Sequence, residues 1–223
     1  MVGRWLKTSK SWSNSSTKNS VSTTLSRRRS CRSFVDRKLP EGLILELVDK
    51  ARRTPTAGNT QGVEFLILDD KSSVDNFWEV SFLGKDKSRF PFPGLFRAPV
   101  LIIPFGLPSM YIERYKEDDK NYTNLGGDTR EWKVPYWLTD AAFATMALQL
   151  LAIENQLETC FIGLFDREER IKENFSVPQS HEALGVLILG YPDIEEVAVG
   201  GSQKRERRPL GEVVHLGSWH SPQ

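Results

Sequence analysis

Between residues 139 and 154 runs the stretch that most limits how this chain can fold. Ala141, Ala142, Phe143, Ala144, Met146, Ala147, Leu148, Leu150, Leu151, Ala152 and Ile153 leave it almost no polar side, and Thr139 and Asp140 make its start. A helix that is apolar nearly all round must be covered on most sides. It therefore belongs at the centre of a large domain or in a subunit interface. No stretch of about 18 or more apolar residues occurs, so no membrane span is expected.

The remaining elements follow from periodicity. Val21 and Leu25 are spaced for a short helix over 21–30. Leu43, Ile44, Leu47, Val48 and Ala51 fall on one helical face after Pro40 and Glu41, and Thr54-Pro55 stops that helix. Residues 63–68, 99–105, 159–165 and 185–191 read as buried strands. Residues 166–175 form a polar helix. Residues 72–97 and 106–135 are irregular, aromatic and charged, and read as excursions over a surface or pocket, outside the core. Helices and strands mixed without regular βαβ alternation indicate an α+β domain, and 223 residues suit a single one.

Charge is unevenly distributed. Residues 1–33 hold eight basic side chains and no acid, so the rest of the chain carries a net charge of −7. An acidic body argues against a nucleic-acid-binding domain. The first 20 residues, rich in Ser, Thr, Asn and Lys, read as a disordered extension; a transit peptide has a similar composition. Cys31 and Cys160 are the only cysteines. They give neither a disulfide framework nor a zinc site, and a reducing, cytoplasmic setting is expected.

Four clusters carry candidate chemistry. Arg28-Arg29-Ser30-Cys31-Arg32 gathers guanidinium groups and a hydroxyl, the donors that suit a phosphate; as an isolated run it also reads as solvated charge. Pro55-Thr56-Ala57-Gly58-Asn59-Thr60-Gln61-Gly62 combines small residues with directional amides, or is simply a turn. Cys160-Phe161-Ile162-Gly163 closes a strand on a glycine, where a bulge is the alternative to a ligand contact. Lys204-Arg205-Glu206-Arg207-Arg208-Pro209-Leu210 is a second basic cluster, otherwise a solvated tail. His181, His215 and His220 lie in loop-like contexts, Cys160 reads as a small buried hydrophobe, and no Ser/His/Asp or Cys/His nucleophile set is visible. Trp132, Tyr136 and Trp137 fit a pocket wall or a packing role equally.

Taken in order, these motifs, with Leu189-Gly190-Tyr191-Pro192 and Glu212-Val213-Val214-His215, resemble the FMN-dependent nitroreductase family over about residues 21–219. The stretch from Ala98 to Tyr136 is most similar to an actinobacterial-type subgroup. The resemblance implies a nitroreductase-like fold, with a mostly antiparallel central sheet flanked by helices, in an intertwined homodimer with FMN at the subunit interface. It places Arg28, Ser30, Arg205 and Arg207 on the FMN phosphate, Arg29 beside them, and Arg32 near the pyrimidine edge of the flavin. Pro55, Thr56, Ala57, Asn59 and Gln61 would line the ribityl chain and ring, from the partner subunit. Ile162 and Gly163 would present backbone to flavin N5. Gln61-Gly62 departs from the Gln-Pro usual in such loops.

The activity so implied is electron transfer from NADPH or NADH to a small organic acceptor, a nitroaromatic or quinone, by a ping-pong route. No side chain is catalytic in its own right, and no metal, nucleic acid or membrane is involved. The alternatives within the same fold are other flavin chemistry, such as dehalogenation or flavin fragmentation, and a flavin sensor or store without turnover.

Overall fold

The computed structural model describes residues 20–83, 85, 87–196 and 205–219. The expected extension, Lys204 and His220 lie outside the described residues, apart from Ser20. Among the described residues, one mixed sheet-and-helix unit contains seven α-helices: α1 (Val21–Arg27), α2 (Leu43–Ala51), α3 (Lys71–Ser81), α4 (Pro108–Arg114), α5 (Tyr136–Glu154), α6 (Glu168–Asn174) and α7 (Leu210–Val213). The strands are β1 (Val63–Leu68), β2 (Val100–Gly106), β3 (Glu158–Ile162), β4 (Glu182–Ala183) and β5 (Val186–Gly190).

The sheet has the order β1-β2-β5-β3, with β4 beside β2, and its pairs are antiparallel. The register sets Phe65 opposite Pro104, Ile102 opposite Leu187 and Cys160 opposite Ile188. β2 and β5 are buried along their full length, which is why they read as continuous apolar runs and not as alternating ones. Strand alternation sends Leu101, Ile103, Phe105 and Ile188 into one core with Phe77 and Trp78 of α3 and Ile171 of α6. Val100, Ile102, Leu187 and Leu189 join the other core, with Ile44 and Leu47 of α2 and Leu148 and Ala152 of α5. The sheet is thus the middle of three layers.

Pro104 sits inside a central strand, where proline is normally excluded. Its carbonyl accepts from Leu184 N, on the side where β4 gives way to β5. The missing N–H points to the same side, so the ladder with β1 loses nothing.

Several expectations are corrected. The segment 72–97 is not an excursion. It contains α3, started by Asp70, whose side chain accepts from Ser72 N and Ser73 N, and it contributes the buried Phe77, Trp78 and Leu95. The segment 106–135 contains α4 and the buried Tyr111 and Trp132, which join Trp137 in a third apolar cluster. Trp132 and Trp137 therefore pack, while Tyr136 is 41% exposed. β1 is an edge strand with only Leu68 buried. β3 stops at Ile162, because the chain turns at Phe165, which has a left-handed φ of 52°.

α5 begins at Tyr136, three residues before the expected start, capped by Pro135. It is buried along one side only: Phe143 remains 48% exposed and Ala142 is also open. By length and composition α5 could cross a membrane. Its buried side instead packs Leu148 and Ala152 against the sheet, as a core helix does.

Candidate functional site

The arginine cluster begins where α1 ends. Ser20 caps that helix by accepting from Thr23 N, and Arg28 leaves it with extended geometry. The chain is then stitched to β3: Ser30 bridges Thr159 in parallel and Cys31 N donates to Thr159 O at 2.9 Å. Phe34, wholly buried, fixes the far end and donates its N–H to Gly94 O.

This anchoring presents Arg28, Arg29, Ser30 and Arg32 to a cavity of about 780 Å³. Arg205 and Arg207, almost 180 residues later, line the same cavity, along with Leu25 and Ser26. Among the described residues, five guanidinium groups thus border one space and no carboxylate lines it. Such a concentration of one sign attracts anions through its field. Two of the arginines are oriented by local contacts. Arg29 donates to the carbonyls of Ser26 and Arg28 at 2.8 and 2.9 Å. Arg32 stacks its guanidinium 5.1 Å from the Phe92 ring centroid. Glu158 lies behind the cluster, where burial raises its pKa against the pull of Arg27, Arg28 and Arg29.

The loop from 55 to 61 lies elsewhere. Thr56 and Gln61 border a small concavity with Arg52, Thr54, Val63 and Ala144, and Asn59 borders another with Arg114. Ala57–Asn59 forms a 3-10 turn, and Gly58, Asn59 and Gln61 have left-handed φ values of 63°, 56° and 57°. Ala57 N donates to Asp140 Oδ2 at 2.8 Å, and Gln61 N to Thr56 Oγ1 at 2.9 Å. Pro55, Asn59 and Gln61 are exposed. Gly62 has a steric reason: a Cβ there would lie 2.6 Å from Tyr111 Cε2, so no side chain, proline included, fits beside that ring.

Ile162 and Gly163 form a third group, at the exit of β3. Ile162 is partly packed into the core, and Phe165 lies against Gly163 with its own side chain 83% exposed. Within one chain, then, the residues from both basic clusters share a cavity, while the 55–61 loop and the strand exit do not line it.

Among the described residues, no activated thiol lies nearby. Burial pushes the Cys31 thiol up to about 11 and raises that of Cys160, so both stay protonated near neutrality. His181 sits 3.3 Å from Glu64, and His215 stacks on Trp219. The sequence reading missed Leu25 and Ser26 in the cavity wall, and it missed Tyr111, Arg114 and Asp140 around the loop. Only Asp140 left a trace, as an acid at the start of an apolar helix.

The family model for the Nitroreductase family matches residues 25–191. This chain belongs to the Nitroreductase family. As a nitroreductase-family chain it is an oxidoreductase by type. A protein of Methanothermobacter thermautotrophicus, provisionally named NADH dehydrogenase/NAD(P)H nitroreductase, is 26% identical over 170 residues, covering 74% of this chain and 73% of the relative. A similarly named protein of Archaeoglobus fulgidus is 25% identical over 174 residues, with 76% and 83% covered. Among solved structures, an FMN-dependent nitroreductase from Clostridium difficile matches with a TM-score of 0.60 at 22% identity, covering 88% of this chain and 98% of its own. A nitroreductase from Exiguobacterium sibiricum, solved in complex with FMN, gives 0.66 at 16% identity, with 90% and 99% covered. At these identities the structural matches establish the fold of this nitroreductase-family chain.

Proposed function

We propose that the chain binds FMN and passes electrons from NADPH or NADH to a small organic acceptor such as a nitroaromatic or quinone. The observation that carries this reading is the cavity lined by Arg28, Arg29, Arg32, Arg205 and Arg207 with no carboxylate among them. A phosphate dianion matches that donor set, since arginine binds phosphate through paired N–H groups and never loses its charge. In this reading Arg28, Ser30, Arg205 and Arg207 hold the phosphate, with Arg29 alongside. Arg32, kept in place by Phe92, sits toward the pyrimidine edge and stabilises negative charge developing there. FMN, when bound, supplies the hydride-accepting centre, and the protein supplies orientation and electrostatics. Ile162 and Gly163 offer backbone toward that centre. Nicotinamide and acceptor use the same face in turn, which gives ping-pong kinetics.

The loop bearing Pro55, Thr56, Ala57, Asn59 and Gln61 meets the cofactor from a second copy of the chain. Asp140 ties the loop near the start of α5, whereas Ser30 is tied to β3, which follows the other end of α5. At 1.5 Å per residue the helix separates the two by roughly 20 Å. The uncovered side of α5, with Ala142 and Phe143, supports a homodimer contact. We place the protein in the cytoplasm, in keeping with two free thiols.

Absorbance of the purified protein tests the proposal. A flavin spectrum that NADH or NADPH bleaches without oxygen is expected. Arg28→Ala and Arg207→Ala should each weaken FMN binding by roughly 1.5–3 kcal/mol, the range for hydrogen bonds to charged groups. Unchanged FMN affinity in both variants overturns the phosphate assignment, and a flavin that neither nicotinamide reduces points instead to a flavin store.

A further inference from the structure

The 56–61 loop is fastened by side chains that take no part in the arginine cavity. Asp140 is 2% exposed. Its Oδ2 accepts from the Tyr111 hydroxyl at 2.6 Å and from Ala57 N–H at 2.8 Å. Tyr111 is wholly buried, and burial together with this carboxylate drives its pKa far above the usual phenol range, so it remains a donor. From the opposite side, Arg114 Nε donates to Gly58 O at 2.8 Å. The Arg114 guanidinium is itself held by both carboxylate oxygens of Asp119, at 2.6 and 2.8 Å.

The two glycines of the loop complete the fit. A Cβ on Gly58 would lie 2.9 Å from Tyr115 Cε2, and one on Gly62 would lie 2.6 Å from Tyr111 Cε2. Two residues of α4, Tyr111 and Arg114, and its C-cap Tyr115 thus press on or bind a loop of six residues whose backbone is left-handed at Gly58, Asn59 and Gln61. Asparagine tolerates that conformation better than most residues, but for glutamine it is uncommon and needs support from its surroundings. A buried carboxylate spent on one loop N–H and one phenol has no role in the sheet or in either main core. What it fixes is the course of the backbone that carries Asn59 and Gln61, both of which remain exposed.

We propose that Asp140, Tyr111 and Arg114 are positioning residues that preset this loop in its flavin-holding shape. The inference rests on the FMN reading given above. A loop already ordered before binding loses little freedom when the ligand arrives, which strengthens affinity without adding a contact. The loop serves the ring and ribityl chain, which riboflavin and FMN share; the arginine cavity serves the phosphate, which riboflavin lacks. The two functions are therefore separable by ligand.

The experiment titrates the full-length apoprotein with FMN and with riboflavin, following flavin fluorescence. It compares wild type with Tyr111→Phe, Asp140→Asn, Arg114→Met and Arg28→Ala. Each of the first three should raise the Kd for both flavins by a similar factor, about tenfold for the loss of one hydrogen bond to a charged group. Arg28→Ala should raise the Kd for FMN alone. Thermal melts of the apoproteins separate loop order from global stability. Arg114 is only half-buried and belongs to none of the three apolar clusters, so its variant folds even if Asp140→Asn does not. Unchanged affinity for both flavins in folded Tyr111→Phe and Arg114→Met overturns the clamp and leaves the phosphate assignment standing. A wild-type protein that takes up neither flavin overturns both.

Discussion

Gly62→Ala places a methyl group where the Tyr111 ring lies. The ideal Cβ falls 2.6 Å from Tyr111 Cε2, 3.2 Å from Cδ2 and 3.3 Å from Met110 Cβ. To reach ordinary contact near 3.4 Å the ring must retreat by roughly 0.8 Å. It has little room to do so: Tyr111 is wholly buried, and Trp132 and Trp137 meet it edge-on at centroid distances of 6.1 and 6.2 Å. Overpacking of this kind costs about 1–3 kcal/mol. If the retreat also breaks the Tyr111–Asp140 hydrogen bond, a further ~1.5–3 kcal/mol is lost. The expected destabilisation is about 2.5–6 kcal/mol, and its lower end already lowers Tm by roughly 5–10 °C for a chain of this length. Urea unfolding reads the effect as a shifted midpoint at constant slope. The same substitution in a Tyr111→Ala background should cost far less, giving a coupling of at least ~1 kcal/mol. A Gly62→Ala protein within about 0.5 kcal/mol of wild type refutes the steric argument.

Two further outcomes follow from the core and from the thiols. Leu148→Ala, at a wholly buried position of α5 facing the sheet, should cost about 2.7–5 kcal/mol by calorimetry; a loss below ~1 kcal/mol would mean that α5 is not seated on the sheet. Burial holds the Cys31 pKa at about 11 against an ordinary 9.0, so between those values the folded chain keeps a proton that the unfolded chain releases. Its contribution is complete below pH 9 and disappears as pH rises toward 11. Cys31→Ala should flatten the fall of stability across that window, and an identical pH slope in both proteins would show that Cys31 is not desolvated.

How much of this was legible beforehand depended on how far each signal reached along the chain. β2 and β5 could be read because both faces are covered, which leaves unbroken apolar runs. α2 could be read because its apolar residues repeat within nine positions. α3 could not: Val74, Phe77, Trp78 and Ser81 do make a helical stripe, but Asp75, Asn76 and Glu79 between them dilute it, and its cap Asp70 follows β1 by only two residues. β4, two residues long, offers no period to detect. The arginines were individually ambiguous and gained meaning from their order with the other motifs. The Asp140–Tyr111–Ala57 network was out of reach, since its members are 29 and 83 residues apart and no local pattern links them.

The cavity shared by Arg28 and Arg207 also bears on how the molecule is made. Every strand of the sheet has been synthesised once Gly190 has been added, so the scaffold can assemble while translation is still under way. The anion cradle cannot, because Arg205 and Arg207 are added later. A chain halted between Gly190 and Arg205 would keep every described strand yet lack two of the cavity's five arginines. On the FMN reading proposed above, full affinity for the cofactor is then open only to a chain translated past Arg207.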